Sequence, residues 1–588
     1  MNMLFDSLGP EWRAPDVVEA IRLLGAEDAP SRGAVFTRPE VVVSILDLCG
    51  YTSDRPLHLL RLLEPSFGDG DFLLPAVERL IAAYSRAKPD FSTVRSDLAD
   101  AVRAVELHRD SYACITQRLS RQLVAAGIGE VDAAALSASW LVCDDFLLSD
   151  LNAGFDLVVG NPPYVRQERI PSALLAEYRS RFSTLYDRAD LYVPFFERAL
   201  DLLAPGGVLG FICANRWLKN KYGGPLRSKI SEGFHLAYFI DMEGVDAFHA
   251  DVIAYPAITI VRRPMQGDPP HQTTRVASPA ALRQLSLPTL ARALVGSGEG
   301  TDLVDEVMLD GVGDAPWLLD DVHRLKLLRR LEANFPMLEN AGCKVGIGVA
   351  TGCDRIFIDD YQSLPVELER KLPLVMARDL LDGRIDWHGK GVLNPFEADG
   401  SLASLEAFPR FAAYLHAHRE AVAARHVANR SGSGWYRTID RIYPELVQRP
   451  KLLVPDIKGE ASFVLDEGRY YPHHNLYYVT SDTWDLAALR TVLRSSVSMM
   501  TVATYCTRMA GGFLRFQAQY LRRIRLPKWE MVPQSLRAEL IAVTDSLDQA
   551  VIDAPVFELY GLNLEEAMHI RRVADDAQVT ARNKRRIQ

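Results

Sequence analysis

The stretch 155–170, FDLVVGNPPYVRQERI, decides how the chain reads. Phe155 to Val159 is a continuous apolar run, the pattern of a strand buried on both faces. It passes into Gly160, Asn161, Pro162, Pro163 and Tyr164. Proline lacks the N–H and fixes φ, so neither a ladder nor a helix continues through two of them. The strand must end in a stiff loop that presents an amide on one side and a phenol on the other.

Working outward, six more strand-like runs flank this one. They are LHLLRLLEP (57–65), AVRAVEL (101–107), SWLVCDDF (139–146), GVLGFICA (207–214), LAYFIDM (236–242) and YPAITIVRR (255–263). Helical patterns such as DFLLPAVERLIAAYS (71–85) and LYVPFFERALDLLA (191–204) lie between them. Alternating strands and helices predict an α/β fold with a doubly wound, mostly parallel sheet. Ligands of such sheets bind beyond the carboxyl ends of the strands. Those ends are where functional side chains belong.

Three strand ends are acidic. Glu64 closes the first run and leads into PSFGDGDF, in which Pro65, Gly68, Gly70 and Phe72 precede a helix. Glycines there permit a tight turn and close backbone approach to a ligand. The G-x-G-x-x-G dinucleotide pattern is not met, because position 73 is Leu. An acidic turn suits a cationic or uncharged ligand better than a pyrophosphate, and carboxylates make sense beside the sulfonium and ammonium of S-adenosylmethionine. Glu106 closes the second run and is placed to accept from ribose hydroxyls. Asp145 closes the third, where a carboxylate accepts from an adenine amino group while Phe146 covers the base. Upstream, Thr37 before Pro39 reads as an N-cap with proline in the first helical turn.

The bulk numbers bound the class. The chain has 588 residues, 48% hydrophobic and 24% charged, enough for two or three domains. Its seven cysteines form no CxxC pair, so no zinc ribbon or redox motif is expected, and no other metal site is indicated. Cys143 and Cys213 lie in apolar runs and read as buried thiols of a reducing cytosol. No signal peptide and no membrane-length apolar run occurs, which predicts a cytoplasmic protein without a membrane partner. The net charge of −10 does not exclude a polyanion, since only the local surface must be basic. Residues 416–451 are rich in Arg with Trp435, Tyr436 and Tyr443 interleaved, and RRIRLPK (522–528) is a second basic run.

Thr37, EPSFGDGDF, VEL, DDF and NPPY, in that order, resemble the gamma class of N6-adenine DNA methyltransferases, the TaqI-like type II modification enzymes. FICANRWL (211–218) resembles a further strand motif of that class, and DAFHADVIAYPAITIVRR (246–263) its aromatic motif, an exposed Phe before a final strand. Weaker matches in the C-terminal half are VGIGVATGCDRIFI (345–358), KLLVPDI (451–457), HHNLYYVTS (473–481) and GGFLRFQAQYLRRIRLP (511–527). The resemblance implies a class I, Rossmann-like, seven-stranded methyltransferase sheet with a mixed α+β target recognition domain. The expected division is an N-terminal segment (1–30), a methyltransferase domain (31–265), a linker and helical connection (266–340), the recognition domain (341–530) and a helical C-terminal region (531–588).

The same resemblance implies an enzyme that uses S-adenosylmethionine to methylate adenine in double-stranded DNA, protecting host DNA from a cognate restriction endonuclease carried on a separate bacterial chain. Asn161, Pro162, Pro163 and Tyr164 would be catalytic. Thr37, Glu64, Pro65, Gly68, Gly70, Phe72, Glu106, Asp145, Phe146 and Asn161 would hold the cofactor. Tyr164 and Phe248 would stack on the flipped base. Three alternatives stand beside this reading. Protein-glutamine and RNA N-methyltransferases also carry NPPY, but tend to lack a large C-terminal half. A non-catalytic DNA specificity subunit would have no use for intact NPPY and three acids. A fused nuclease finds little room, with about thirty residues before the first motif; the pair Asp456/Lys458 sits in an expected strand of the recognition domain.

Overall fold

The computed structural model describes residues 13–26, 37–243, 247–248, 255–268, 273–296, 300–309, 313–319, 322–381, 383–429, 434–458, 462–506 and 514–571. Most of the expected N-terminal segment, residues 32–36 before Thr37, 249–254 of the aromatic motif, 511–513 and the basic tail RNKRRIQ lie outside them. The chain divides into two compact units, 1–322 and 323–588.

All seven expected strands form in the first unit. They are β1 (Leu62–Glu64), β2 (Val102–Glu106), β3 (Leu141–Cys143), β4 (Phe155–Gly160), β5 (Leu203–Ala214), β6 (His235–Asp241) and β7 (Pro256–Arg262). The sheet has nine strands rather than seven, in the order β3-β2-β1-β4-β5-β7-β6-β8-β9. The added strands β8 (Thr273–Ala277) and β9 (Val304–Met308) come from the stretch expected to be linker. β8 runs parallel to β6, and β9 pairs antiparallel with β8. The domain boundary therefore lies some sixty residues later than expected.

Strand order explains where a site forms. β3, β2, β1, β4 and β5 are mutually parallel neighbours, and the order reverses between β1 and β4. Crossovers from those two strands leave in opposite directions, which opens a crevice beyond their carboxyl ends. Glu64 and Asn161 stand at that crevice. β4 is buried along most of its length, as its apolar run requires. The helix Leu73–Ala87 buries Leu73, Ala76, Val77, Leu80, Ile81 and Tyr84, a spacing that lays one stripe on the core.

The second unit is β-rich with a helical end. One antiparallel sheet holds Cys343–Ile347, Leu476–Ser481, Lys451–Pro455 and Val464–Asp466. Another holds Ile358–Asp360, Lys390–Leu393, Lys371–Val375 and Tyr471–Pro472. The helices Gln534–Ala542 and Gln549–Leu559 pack on Leu486–Arg494.

Lys451 and Asp466 are wholly buried and paired at 2.6 Å within the first of these sheets. The Lys451 ammonium also donates to the carbonyls of Leu446 (2.9 Å) and Arg449 (3.1 Å). Asp466 accepts from the backbone of Arg469 at 2.9 Å. Removing one member strands a buried charge. Lys451→Ala is therefore expected to destabilise the second unit by about 3–5 kcal/mol in denaturant titration, whereas Arg469→Ala, at an exposed side chain, is expected to stay within about 0.5 kcal/mol.

Candidate active site

A cleft opens beyond the carboxyl ends of β1 to β4, with both apolar and acidic side chains in its wall. Of the expected residues, Thr37, Glu64, Pro65, Gly68, Phe72, Glu106, Asp145, Phe146, Asn161 and Pro163 line it. Gly70, Pro162, Tyr164 and Phe248 do not line it. Gly70 acts through the turn: its φ is +83°, and a Cβ there would meet Ile115 Cδ1 at 3.0 Å. Leu24, Gly25, Asp71, His108, Asp144, Leu191 and Phe195 also line the cleft, and the sequence reading had not singled them out. Asp71 and Asp144 were visible as second acids in GDGDF and DDF; the apolar members carry no local signal.

The acids do different work. Glu106 holds the glycine turn, accepting from Gly68 N–H at 2.7 Å and from His108 N–H at 2.8 Å. Glu64 is 1% exposed, and its Oε2 has no hydrogen-bond partner among the described residues. Burial pushes its carboxyl well above the usual range, and the Asp71 and Glu106 carboxylates push the same way. Asp144 forms a two-pronged pair with Arg13 at 2.6 and 2.7 Å. Asp145 accepts from the Tyr178 hydroxyl and from Leu148 N–H at 3.0 Å. Burial raises the Asp145 carboxyl to about 6, against the lowering effect of the Tyr178 hydrogen bond. Phe146 packs on Phe195 with ring centroids 4.9 Å apart, forming an apolar wall beside it.

Thr37 is not a cap. The N-cap of the helix Pro39–Leu48 is Arg38, without a side-chain cap bond. Thr37 instead bridges to Phe248, and its N–H donates to Asp71 at 2.7 Å. Its hydroxyl accepts from the Asn161 amide at 3.2 Å. Asn161 thus has its side-chain nitrogen engaged, which orients the amide. Ser66 Oγ donates to the Asn161 carbonyl at 3.3 Å, tying the glycine turn to the proline loop.

Phe248 was expected to be exposed and is not: it is 7% exposed and meets Tyr164 edge-to-face at 6.2 Å. The pair closes on itself because two apolar ring faces lose less by mutual contact than by facing water. The Tyr164 hydroxyl is buried without a partner among the described residues, and burial pushes it well above the usual phenol range. Cys143, expected buried, is exposed at the end of β3, whereas Cys213 is buried.

Many basic and aromatic groups of the second unit are spent on structure. Arg425 donates to the carbonyls of Thr351 (2.7 Å), Trp435 (3.2 Å) and Arg437 (2.8 Å). Trp435 and Tyr436 are buried in a core cluster. Arg522 pairs with Glu339 at 2.9 Å, and Asp456 is paired with Arg515. Tyr443 remains 44% exposed, with Arg441 over its ring.

A mixed α/β unit with a large central sheet and a cleft beyond the carboxyl ends of its parallel strands is the frame of a methyltransferase. The comparisons narrow the class. Residues 104–248 match the Eco57I restriction-modification methylase family. The chain is 54% identical over 93% of its length to the type II methyltransferase M.PaeR7I of Pseudomonas aeruginosa, covering 94% of that protein. It is 52% identical over 91% of its length to M.XhoI of Xanthomonas vasicola, covering 98% of that one. The solved structure of the type IIL restriction-modification enzyme MmeI in complex with DNA is similar in fold, with a TM-score of 0.56, 11% identity, and coverage of 96% of this chain and 78% of that one. The chain belongs to the type II methyltransferases of restriction-modification systems. Among the described residues no helix is long and apolar enough to cross a membrane.

Asp145 gives the site a pH signature. Its folded value is raised, so the folded protein binds that proton more tightly than the unfolded chain. The contribution to stability is greatest at low pH and falls as pH climbs from the ordinary carboxylate range through about 6. Asp145→Asn is expected to match wild type near pH 4 and to exceed it above pH 7 by up to about 3 kcal/mol in melts without cofactor.

Proposed function

We propose that the protein is an N6-adenine DNA methyltransferase that uses S-adenosylmethionine on a base flipped out of double-stranded DNA. The observation that carries the reading is the Thr37–Asn161 hydrogen bond, which orients an amide at the rim of an acid-lined cleft. The bond engages the amide nitrogen, so the side-chain oxygen takes the acceptor role toward an amino group.

The cleft fits the cofactor. An orphaned, buried Glu64 carboxylate oxygen with Asp71 and Glu106 beside it favours a cationic ligand. Glu106 would accept from the ribose hydroxyls and Asp145 from the adenine amino group, with Phe146 on the base face. Pro65, Gly68, Gly70 and Phe72 shape the turn that the ligand lies against, and Thr37 closes the opposite side. S-adenosylmethionine, when bound, supplies an electrophilic methyl group.

The chemistry then falls to the proline loop. The exocyclic nitrogen of adenine is a weak nucleophile, because its lone pair is delocalised into the ring. Two acceptors on its N–H groups, Asn161 Oδ1 and the Pro162 carbonyl, would localise that lone pair. Pro162 and Pro163 keep the carbonyl from drifting, so the acceptors are set before the base arrives. The target cannot be reached inside a duplex and must be extruded. Tyr164 and Phe248 would part to receive it between their rings. The relatives' restriction-modification setting supports a protective role beside a separate cognate endonuclease, in a bacterial cytoplasm. Methylation of protein glutamine or RNA, and a non-catalytic specificity subunit, fit the two-unit chain with its intact site less well.

Asn161→Ala is expected to reduce methyl transfer into plasmid DNA by at least about 10²-fold while cofactor binding by calorimetry stays within a few-fold. Detection of N6-methyladenine in the wild-type product reads the base; labelled glutamine in a protein substrate with unmodified DNA would overturn the assignment.

A further inference from the structure

The catalytic unit carries a set of basic side chains with a pattern opposite to that of the second unit. Arg166 follows the proline loop by two residues, and Arg169 closes the 3-10 turn Gln167–Arg169. Both are exposed. Arg216 and Lys219 lie in and just after the turn Asn215–Leu218, which follows the end of β5. β5 is the sheet neighbour of β4, with Phe211 opposite Gly160, so this turn emerges beside the proline loop.

A third segment joins them. Leu191 N–H donates to Val165 O at 2.8 Å, and Gln167 donates to Asp187 O at 2.8 Å. These bonds bring Arg188, exposed, against the same loop. The charges of Arg216 and Arg166 both act on Asp190, which places the two guanidiniums around one point. Lys221 lies 5.7 Å from the ring of Tyr186, itself 44% exposed. Among the described residues, the side chains of Arg166, Arg169, Arg188, Arg216 and Lys221 form no ion pair within 4 Å and no hydrogen bond. Three acids, Glu168, Asp187 and Asp190, share the surface, so it keeps a positive excess in a chain of net charge −10.

We infer that Arg166, Arg169, Arg188, Arg216 and Lys221 form a phosphate-gripping collar around the mouth of the site, holding the duplex backbone on either side of the extruded base. The inference rests on the DNA reading above and adds the surface that docks the strand. Guanidiniums without hydrogen-bond partners, and an ammonium beside an exposed ring, suit a phosphodiester backbone, and a basic excess on an acidic protein supplies local complementarity where net charge would repel. A nucleotide rotated out of the helix needs its flanking phosphates fixed, or the loop cannot reach it at a constant depth.

The test is the salt dependence of binding. Fluorescence anisotropy with a random-sequence duplex of about 30 bp reads the sequence-independent contacts directly. Arg166→Gln/Arg216→Gln in the full-length protein is expected to weaken binding roughly tenfold and to make the log–log salt slope shallower by about 2. Arg169→Gln/Lys221→Gln, at exposed positions with little risk to folding, is expected to change the slope by a similar amount. Calorimetric cofactor binding and the melting midpoint should match wild type for both pairs. An unchanged slope in both pairs overturns the collar. So does a loss confined to duplexes the wild type methylates, which would signal base contact, or tighter binding of single-stranded RNA than of duplex. A wild-type protein that binds cofactor but no duplex would instead overturn the DNA reading itself.

Discussion

The hard stop of β4 is the constraint on which the catalytic unit depends. A buried parallel strand ordinarily releases its chain into a turn that donates and accepts hydrogen bonds. Here Pro162 and Pro163 supply no donors, so the backbone leaves the ladder at Gly160 and cannot rejoin it. The stop falls beside β1, where strand order reverses and a crevice exists already. Asn161 is the last residue before the prolines. Thr37, from a different segment, and Ser66, from the glycine turn, then fix it in place. Moving the stop by one residue would turn that amide to the other face of the sheet.

The seven core strands were legible because burial on both faces demands continuous apolar runs, and those are what FDLVVG and GVLGFICA display. β8 and β9 were not, for a physical reason. They sit at the sheet's edge, TTRVA and VDEVM are only five residues long, and VDEVM buries a single residue, Val307. Such segments, set among prolines and glycines, have the texture of a connection. Thr37 was legible as a residue of interest and not in its role. A threonine before Arg-Pro reads locally as a cap, whereas its actual partners, Asp71, Phe248 and Asn161, come from distant segments. Phe248 was found by motif position, and its burial depends on Tyr164, far away in the chain.

Charge was the least legible property. The Arg-rich segment of the second unit and the RRIRLPK run suggested nucleic-acid contact by composition alone. Their partners lie far off in sequence: Glu339 for Arg522, Thr351 for Arg425 and Asp456 for Arg515. A guanidinium that already donates to several carbonyls has no free fork for a phosphate. Composition counts cations, while function depends on which of them the fold leaves unpaired. Among the described residues, Arg166, Arg169, Arg188 and Lys221 near the proline loop keep their side-chain donors out of hydrogen bonds and ion pairs within the chain.

The acid cluster carries the opposite cost. Glu64 sits buried with an unsatisfied oxygen, and Asp71 and Glu106 bias it toward its protonated form. Asp145 is raised as well. An optimally stable sheet would not place these groups together at its strand ends, since each raised carboxyl costs folding free energy at neutral pH. The arrangement makes sense when a cationic ligand completes it: the ligand finds its counter-charges fixed and already desolvated, and its arrival relieves the repulsion. The same acids would gain less from a product that has lost the sulfonium and keeps only its ammonium.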